Sequence, residues 1–246
     1  HSFEQAGGRY CGGQAMREVR WDGISQVVTT LQDGQVFTSD KMLVAVGRQA
    51  NIEDLNLSAT GLIATEKGTL AVNEHCQTAI PHIYGVGDLI GPPGLASSAM
   101  EQGRRAVCHA LGLPEGQSAS AIPVGIYTIP EMSSIGLDET AGRKRYKDVM
   151  IGRAKFNEIA RGQISDIRNG LLKMVADPTG EYLLGVQIVG EGATELIHVA
   201  QMALQYGATV DSFVENIFNF PTLAETYRVA ALDIVGQRQK RLASAA

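Results

Sequence analysis

Cysteine is scarce in this 246-residue chain: three residues, at 11, 76 and 108, all far apart. They fit neither a disulfide framework nor a thiolate metal cluster. A reducing cytoplasm is therefore the expected compartment. Basic excess is also missing, since 21 Lys and Arg stand against 26 Asp and Glu. A net charge of −5 excludes a bulk electrostatic nucleic-acid binder, which needs a basic surface. No apolar run approaches the ~20 residues of a membrane span. H-E-x-x-H, paired cysteines and G-x-S-x-G are absent, so neither a metal nor a serine nucleophile is expected. Gly85-Val86-Gly87 starts like a dinucleotide fingerprint, but Gly91 comes one place late to complete it. Residue 1 is His, and no signal-peptide pattern follows. The sequence is expected to be a piece of a longer one.

What is present is a globular composition, 44% hydrophobic and 19% charged, long enough for one or two domains. Residues 9–46 read as a β-meander with turns at Trp21-Asp22-Gly23 and Asp33-Gly34. Met42–Val46 is a continuous apolar run, expected as a strand buried on both faces. Residues 50–78 read as irregular. A strand is expected at 83–86, with Asp88 just past its carboxyl end. Apolar positions from Leu95 to Leu111 follow helical spacing. Residues 112–121 read as a linker.

Beyond it, short strands are expected at 122–128, 131–137 and 147–156. A hairpin is expected at 170–189 around Asp177-Pro178-Thr179-Gly180. Helices are expected near 191–206, at 211–217 and after Pro221. The polar tail from Gln237 to Ala246 reads as frayed.

Asp88 is the strongest candidate for chemistry. Ligands of open α/β folds sit outside strand carboxyl ends, where a carboxylate can accept from ribose or ribityl hydroxyls. The helix start after it offers free N–H groups and a positive dipole end. The plainer alternative is that Asp88 caps a turn. Gly47 could admit a planar ligand, or simply end a strand. Thr222 and Glu225 form a capping-box pattern, which accounts for Glu225 by itself. His198 lies opposite the apolar stripe of its helix.

Five ordered segments carry a resemblance: Val44–Asn51, Thr78–Asp88, Gly94–Ser97, Ile126–Glu131 and Phe220–Glu225. They resemble the flavin-dependent pyridine nucleotide–disulfide oxidoreductases, over essentially the whole chain. The resemblance implies an α/β and α+β chain, the C-terminal part of a flavoprotein with two dinucleotide-binding domains. Residues 1–49 would end the NAD(P) domain, 50–119 form the second FAD segment, and 120–246 form an α+β dimerisation domain with an antiparallel sheet. FAD, NAD and NADP are the implied cofactors, and a homodimer the implied assembly. Gly47 would lie against NAD(P), Asp88 would hold the flavin ribityl chain, and Gly94, Leu95, Ala96 and Ser97 would face the flavin ring. A lone piece of this kind would bind FAD poorly.

The family's disulfide reductases carry His before the Pro as acid/base for the thiol. Here Phe220 stands in that place, and Phe transfers no proton. That favours hydride exchange between NADPH and NAD, with no catalytic residue assigned and Glu225 left as a cap. Two alternatives remain open: a disulfide reductase of the dihydrolipoamide dehydrogenase kind, and an inactive dimerisation module.

Overall fold

The structure, a computed structural model, describes residues 2–117 and 121–245. Ser118, Ala119 and Ser120 of the expected linker, and Ala246, lie outside the described residues. The chain divides into two compact units, one ending at Pro92 and the other starting at Pro93.

The first unit opens with α1 (Ser2–Gln5). An antiparallel meander follows: β1 (Met16–Trp21), β2 (Val27–Leu31) and β3 (Val36–Ser39), in that order. The turn chemistry is the expected one. One Asp22 oxygen accepts the N–H groups of Ile24, Ser25 and Gln26 at 2.8–3.0 Å, an Asx-type turn. Asp33 accepts from Gln35 at 2.9 Å across Gly34. Val28 and Leu31 of the central strand are buried.

Two expectations fail here. Met42–Val46 forms no strand and is not buried: Leu43 is 89% exposed and Val46 77%. A strand apolar on both faces needs paired neighbours and two covering layers. Among the described residues no strand pairs with this run. Residues 83–86 likewise form no strand, only an isolated bridge from Tyr84 to Gln77. Asp88 instead opens a 3₁₀ turn, Gly87–Ile90.

The second unit starts with α2 (Ala96–Ala110). Its expected apolar stripe is only partly covered, and Ser98 and Ala106 are the buried residues of the helix. A five-stranded antiparallel sheet follows. Its strands are β4 (Val124–Ile126), β5 (Met132–Gly136), β6 (Met150–Lys155), β7 (Leu171–Ala176) and β8 (Leu183–Val189), in the order β4-β5-β8-β7-β6. Two helices that the hydrophobic pattern does not reveal are α3 (Glu139–Tyr146) and α4 (Ala160–Ile164). Three more complete the unit: α5 (Ala193–Gln205), α6 (Val210–Glu215) and α7 (Glu225–Ala245).

Strand alternation sorts the sheet's two faces. Ala154, Leu172, Met174, Val186 and Ile188 pack with Ile197, Phe213, Tyr227, Ala230 and Ile234 from α5, α6 and α7. Val149, Ile151 and Val175 form a smaller cluster with Tyr146 of α3. Gly152 of β6 lets α7 lie close, since a Cβ there would meet the Ala230 carbonyl at 2.0 Å. Glu131 accepts from the Thr194 N–H at 3.2 Å and its hydroxyl at 2.7 Å, tying the start of α5 to the β4–β5 connection.

The tail is not frayed. Helix α7 runs to Ala245. Gln237 donates to the Ile151 carbonyl at 2.8 Å, and Arg241 donates to Asp148 at 3.0 Å. A polar sequence hides this because the anchoring is done by side-chain hydrogen bonds rather than by burial.

Candidate functional site

The predicted residues fall in both units. In the first unit the structure brings Asp88 beside Arg48, which has no role in the sequence reading. Arg48 Nη1 lies 2.8 Å from Asp88 Oδ2. Both side chains reach solvent, Arg48 at 68% and Asp88 at 42% exposure. Gly47, immediately before Arg48, takes φ +125°, and a Cβ there would meet nothing within 4 Å. The space beside Gly47 is open and its backbone suits glycine. Asp88 sits in the first turn of its 3₁₀ element after Gly87, whose φ is +73°.

In the second unit Gly94, with φ +62°, leads into Leu95, which is extended and offers α2 no side-chain cap. The first N–H groups of α2, from Ala96 onward, have no acceptor within the helix. Ser98 adds a buried hydroxyl with no hydrogen-bond partner. A buried unpaired hydroxyl is costly unless something accepts or donates to it. The sequence points to Ser97 and not to Ser98, because an orphaned hydroxyl becomes visible only when burial is known.

Phe220 is 74% exposed. Glu225 is engaged nearby, accepting from the Thr222 N–H at 3.1 Å. This is one half of a capping box; the Thr222 hydroxyl donates instead to the Asn219 carbonyl at 2.7 Å. His198 is exposed and meets Gln201 at 2.8 Å.

A shallow polar hollow of about 380 Å³ lies beside α3, lined by Asp138, Glu139, Thr140, Arg143 and Lys173. Its charges are matched internally. Glu139 meets Arg143 at 3.1 Å, Arg153 at 3.4 Å and Lys173 at 3.7 Å. Arg143 holds the Glu139 carboxyl below its ordinary range, with Lys173 and Arg153 assisting against the effect of burial.

Each unit by itself offers groups that suit part of a flavin dinucleotide. Asp88 can accept from a polyhydroxylated chain. The uncapped start of α2 and Ser98 suit a group presenting hydrogen-bonding edges and negative charge.

The first unit carries a glycine-flanked carboxylate, and the second an antiparallel five-stranded sheet and a helix start without a side-chain cap. Residues 3–103 match the family described as pyridine nucleotide-disulphide oxidoreductase, and residues 122–231 match its dimerisation domain. The chain belongs to the pyridine nucleotide-disulphide oxidoreductases. It is 39% identical over 215 residues to the soluble pyridine nucleotide transhydrogenase of Mycobacterium tuberculosis, covering 87% of this chain and 46% of that protein. It is 43% identical over 214 residues to the enzyme of the same name from Aliivibrio fischeri, covering 84% and 45%. The chain thus spans a little under half the length of these curated relatives.

Among solved structures it is similar to LpdA from Mycobacterium tuberculosis, with a TM-score of 0.82 and 26% identity, covering 94% of this chain and 50% of that one. The flavoprotein disulfide reductase RclA from Escherichia coli shares the fold, with a TM-score of 0.80 at 20% identity, covering 89% of this chain and 49% of that one.

Proposed function

We propose that this chain is the C-terminal part of an FAD-dependent oxidoreductase that exchanges hydride between NADPH and NAD. The observation that carries the reading is Phe220. Thiolate–disulfide chemistry needs a proton-transferring group, because the thiolate is the reactive form. Phe220 cannot serve, and Glu225 is occupied with the Thr222 N–H. Similarity to proteins named soluble pyridine nucleotide transhydrogenase supports the same reading. The flavin, when bound, supplies the two-electron chemistry that links two nicotinamides.

The chain's own residues bind and orient. Asp88 accepts from the ribityl hydroxyls. Gly47 leaves room for a nicotinamide dinucleotide. Gly94, Leu95, Ala96 and Ser97 present the start of α2, whose N–H groups and dipole favour negative charge by roughly 0.3–1 kcal/mol. By the same reading residues 1–49 close the NAD(P) domain, 50–119 form the second FAD segment and 120–246 pair two copies. The apolar side chains of Tyr127, Ile129 and Ile217, each more than 80% exposed, suit a second copy.

The test uses the natural full-length protein. Hydride transfer from NADPH to a chromogenic NAD analogue is followed, with dihydrolipoamide and oxidised glutathione as alternative substrates. Fast exchange without thiol activity is expected. Thiol turnover with slow exchange would replace this reading with a disulfide reductase. A colourless dimer with neither activity would leave a pairing module.

A further inference from the structure

We propose that Arg48 is a positioning residue that sets the orientation of the Asp88 carboxylate for a hydroxyl-bearing dinucleotide. The inference rests on Asp88 being the hydroxyl acceptor proposed above. Its carrying observation is the 2.8 Å contact between Arg48 Nη1 and Asp88 Oδ2.

Both partners are too exposed for this pair to matter much as a staple. Exposed ion pairs contribute about 0–1 kcal/mol. Its consequence is geometric instead. An aspartate carboxylate turns readily about its last bond. With Oδ2 held by the guanidinium, Oδ1 is fixed as the oxygen left to accept from a ligand. The backbone on each side supports that assignment. Gly47 turns the chain through φ +125° directly before Arg48, and the 3₁₀ turn Gly87–Ile90 fixes the Cα of Asp88.

Charge points the same way. A bare carboxylate beside a ligand that carries phosphates would repel it. The Arg48 guanidinium offsets that repulsion within a Debye length. The pair also joins two segments of one unit that carry separate motifs, one containing Gly47 and the other Asp88. Losing it should therefore loosen the acceptor without unfolding the unit. Lys is only a partial substitute, because a point charge on a flexible stem lacks the planar fork of Arg.

The experiment compares Arg48→Gln, Arg48→Lys, Asp88→Asn and the double variant Arg48→Gln/Asp88→Asn in the natural full-length protein. The FAD dissociation constant is read from flavin fluorescence, and melting temperature by circular dichroism. Arg48→Gln should weaken FAD about tenfold, the effect expected from losing a charge-assisted contact, with the melting temperature of the apoprotein unchanged. Arg48→Lys should recover part of that loss. The double variant should bind no worse than Asp88→Asn alone. Wild-type FAD affinity in Arg48→Gln beside a clear loss in Asp88→Asn would overturn the proposal while sparing the site. Additive losses would also overturn it, since the two residues would then act separately. Wild-type affinity in Asp88→Asn would remove the site reading itself, and the role of Arg48 with it.

Discussion

Tyr227 has no exposed surface, and its hydroxyl donates to the Leu196 carbonyl at 2.7 Å. Its ring stacks on Phe213 with centroids 5.5 Å apart. Burial pushes its hydroxyl well above the ordinary tyrosine range, so it stays a neutral donor. Tyr227→Phe keeps the stack and removes this hydrogen bond, while the Leu196 carbonyl keeps its partner within α5; urea unfolding should show a loss of about 1 kcal/mol. A different residue-scale effect is expected at Asp88. Asp88→Ala in the full-length protein should release FAD on gel filtration, and a variant that stays fully yellow would remove the assignment. Asp88 is legible from its place after an apolar stretch, whereas Arg48 lies within the Val44–Asn51 segment with nothing local to assign it a role. An ion pair between residues 48 and 88 leaves no local pattern, because charge carries no periodicity across an irregular segment.

At the scale of elements, caps and close approaches do most of the specifying. Glu131 holds the start of α5 through Thr194. Glu131→Ala should cost about 1 kcal/mol, the usual worth of a helix N-terminal acceptor, seen as a lower denaturant midpoint with an unchanged slope. Gly152→Ala is more severe. Its methyl would drive β6 and α7 apart, and core overpacking of this kind costs about 1–3 kcal/mol or more; a melting temperature equal to wild type would refute the close contact.

Elements with a period or a turn signature were legible: the meander, the hairpin at Asp177 and the helix α5. Burial pushes the Asp177 carboxyl up, yet donors from Thr179, Tyr182 and Glu181 outweigh it and hold it low, which is the chemistry an Asp-Pro-Thr-Gly turn advertises. Helix α3 was not legible. Glu-Thr-Ala-Gly-Arg-Lys-Arg-Tyr has no apolar stripe, and the helix instead starts on Asp138, which accepts from the Ala141 N–H at 2.7 Å. The Met42–Val46 run shows the converse: its composition is that of a strand, but a strand also needs partners.

At the scale of the whole molecule, stability should fall in acid. Asp211 is held below its ordinary value of 3.8 by Arg238, and Asp148 by the Val149 N–H and Arg241. A carboxyl lowered by folding stabilises the native state above its unfolded pKa. That contribution disappears as pH falls through the folded value. Wild type should therefore lose melting temperature progressively below about pH 4. Asp211→Asn should melt lower than wild type at pH 7, and the gap should close in acid; a gap that persists at pH 2 would show that the carboxylate charge is not its source. No helix among the described residues is long and apolar enough to cross a membrane.

The exposed run Leu43-Val44-Ala45-Val46 also has a bearing on handling. Short apolar segments of high β-propensity, with no charge, proline or pairing partner, are templates for cross-β stacking between molecules. Concentrated solutions of the chain alone should gain thioflavin T fluorescence on standing. A single gatekeeper charge, Val44→Lys, should suppress that gain without disturbing the strands of the first unit, since Val44 is exposed and lies outside them. A stretch this apolar and this exposed is thus also a place where the chain would begin to find cover in copies of itself.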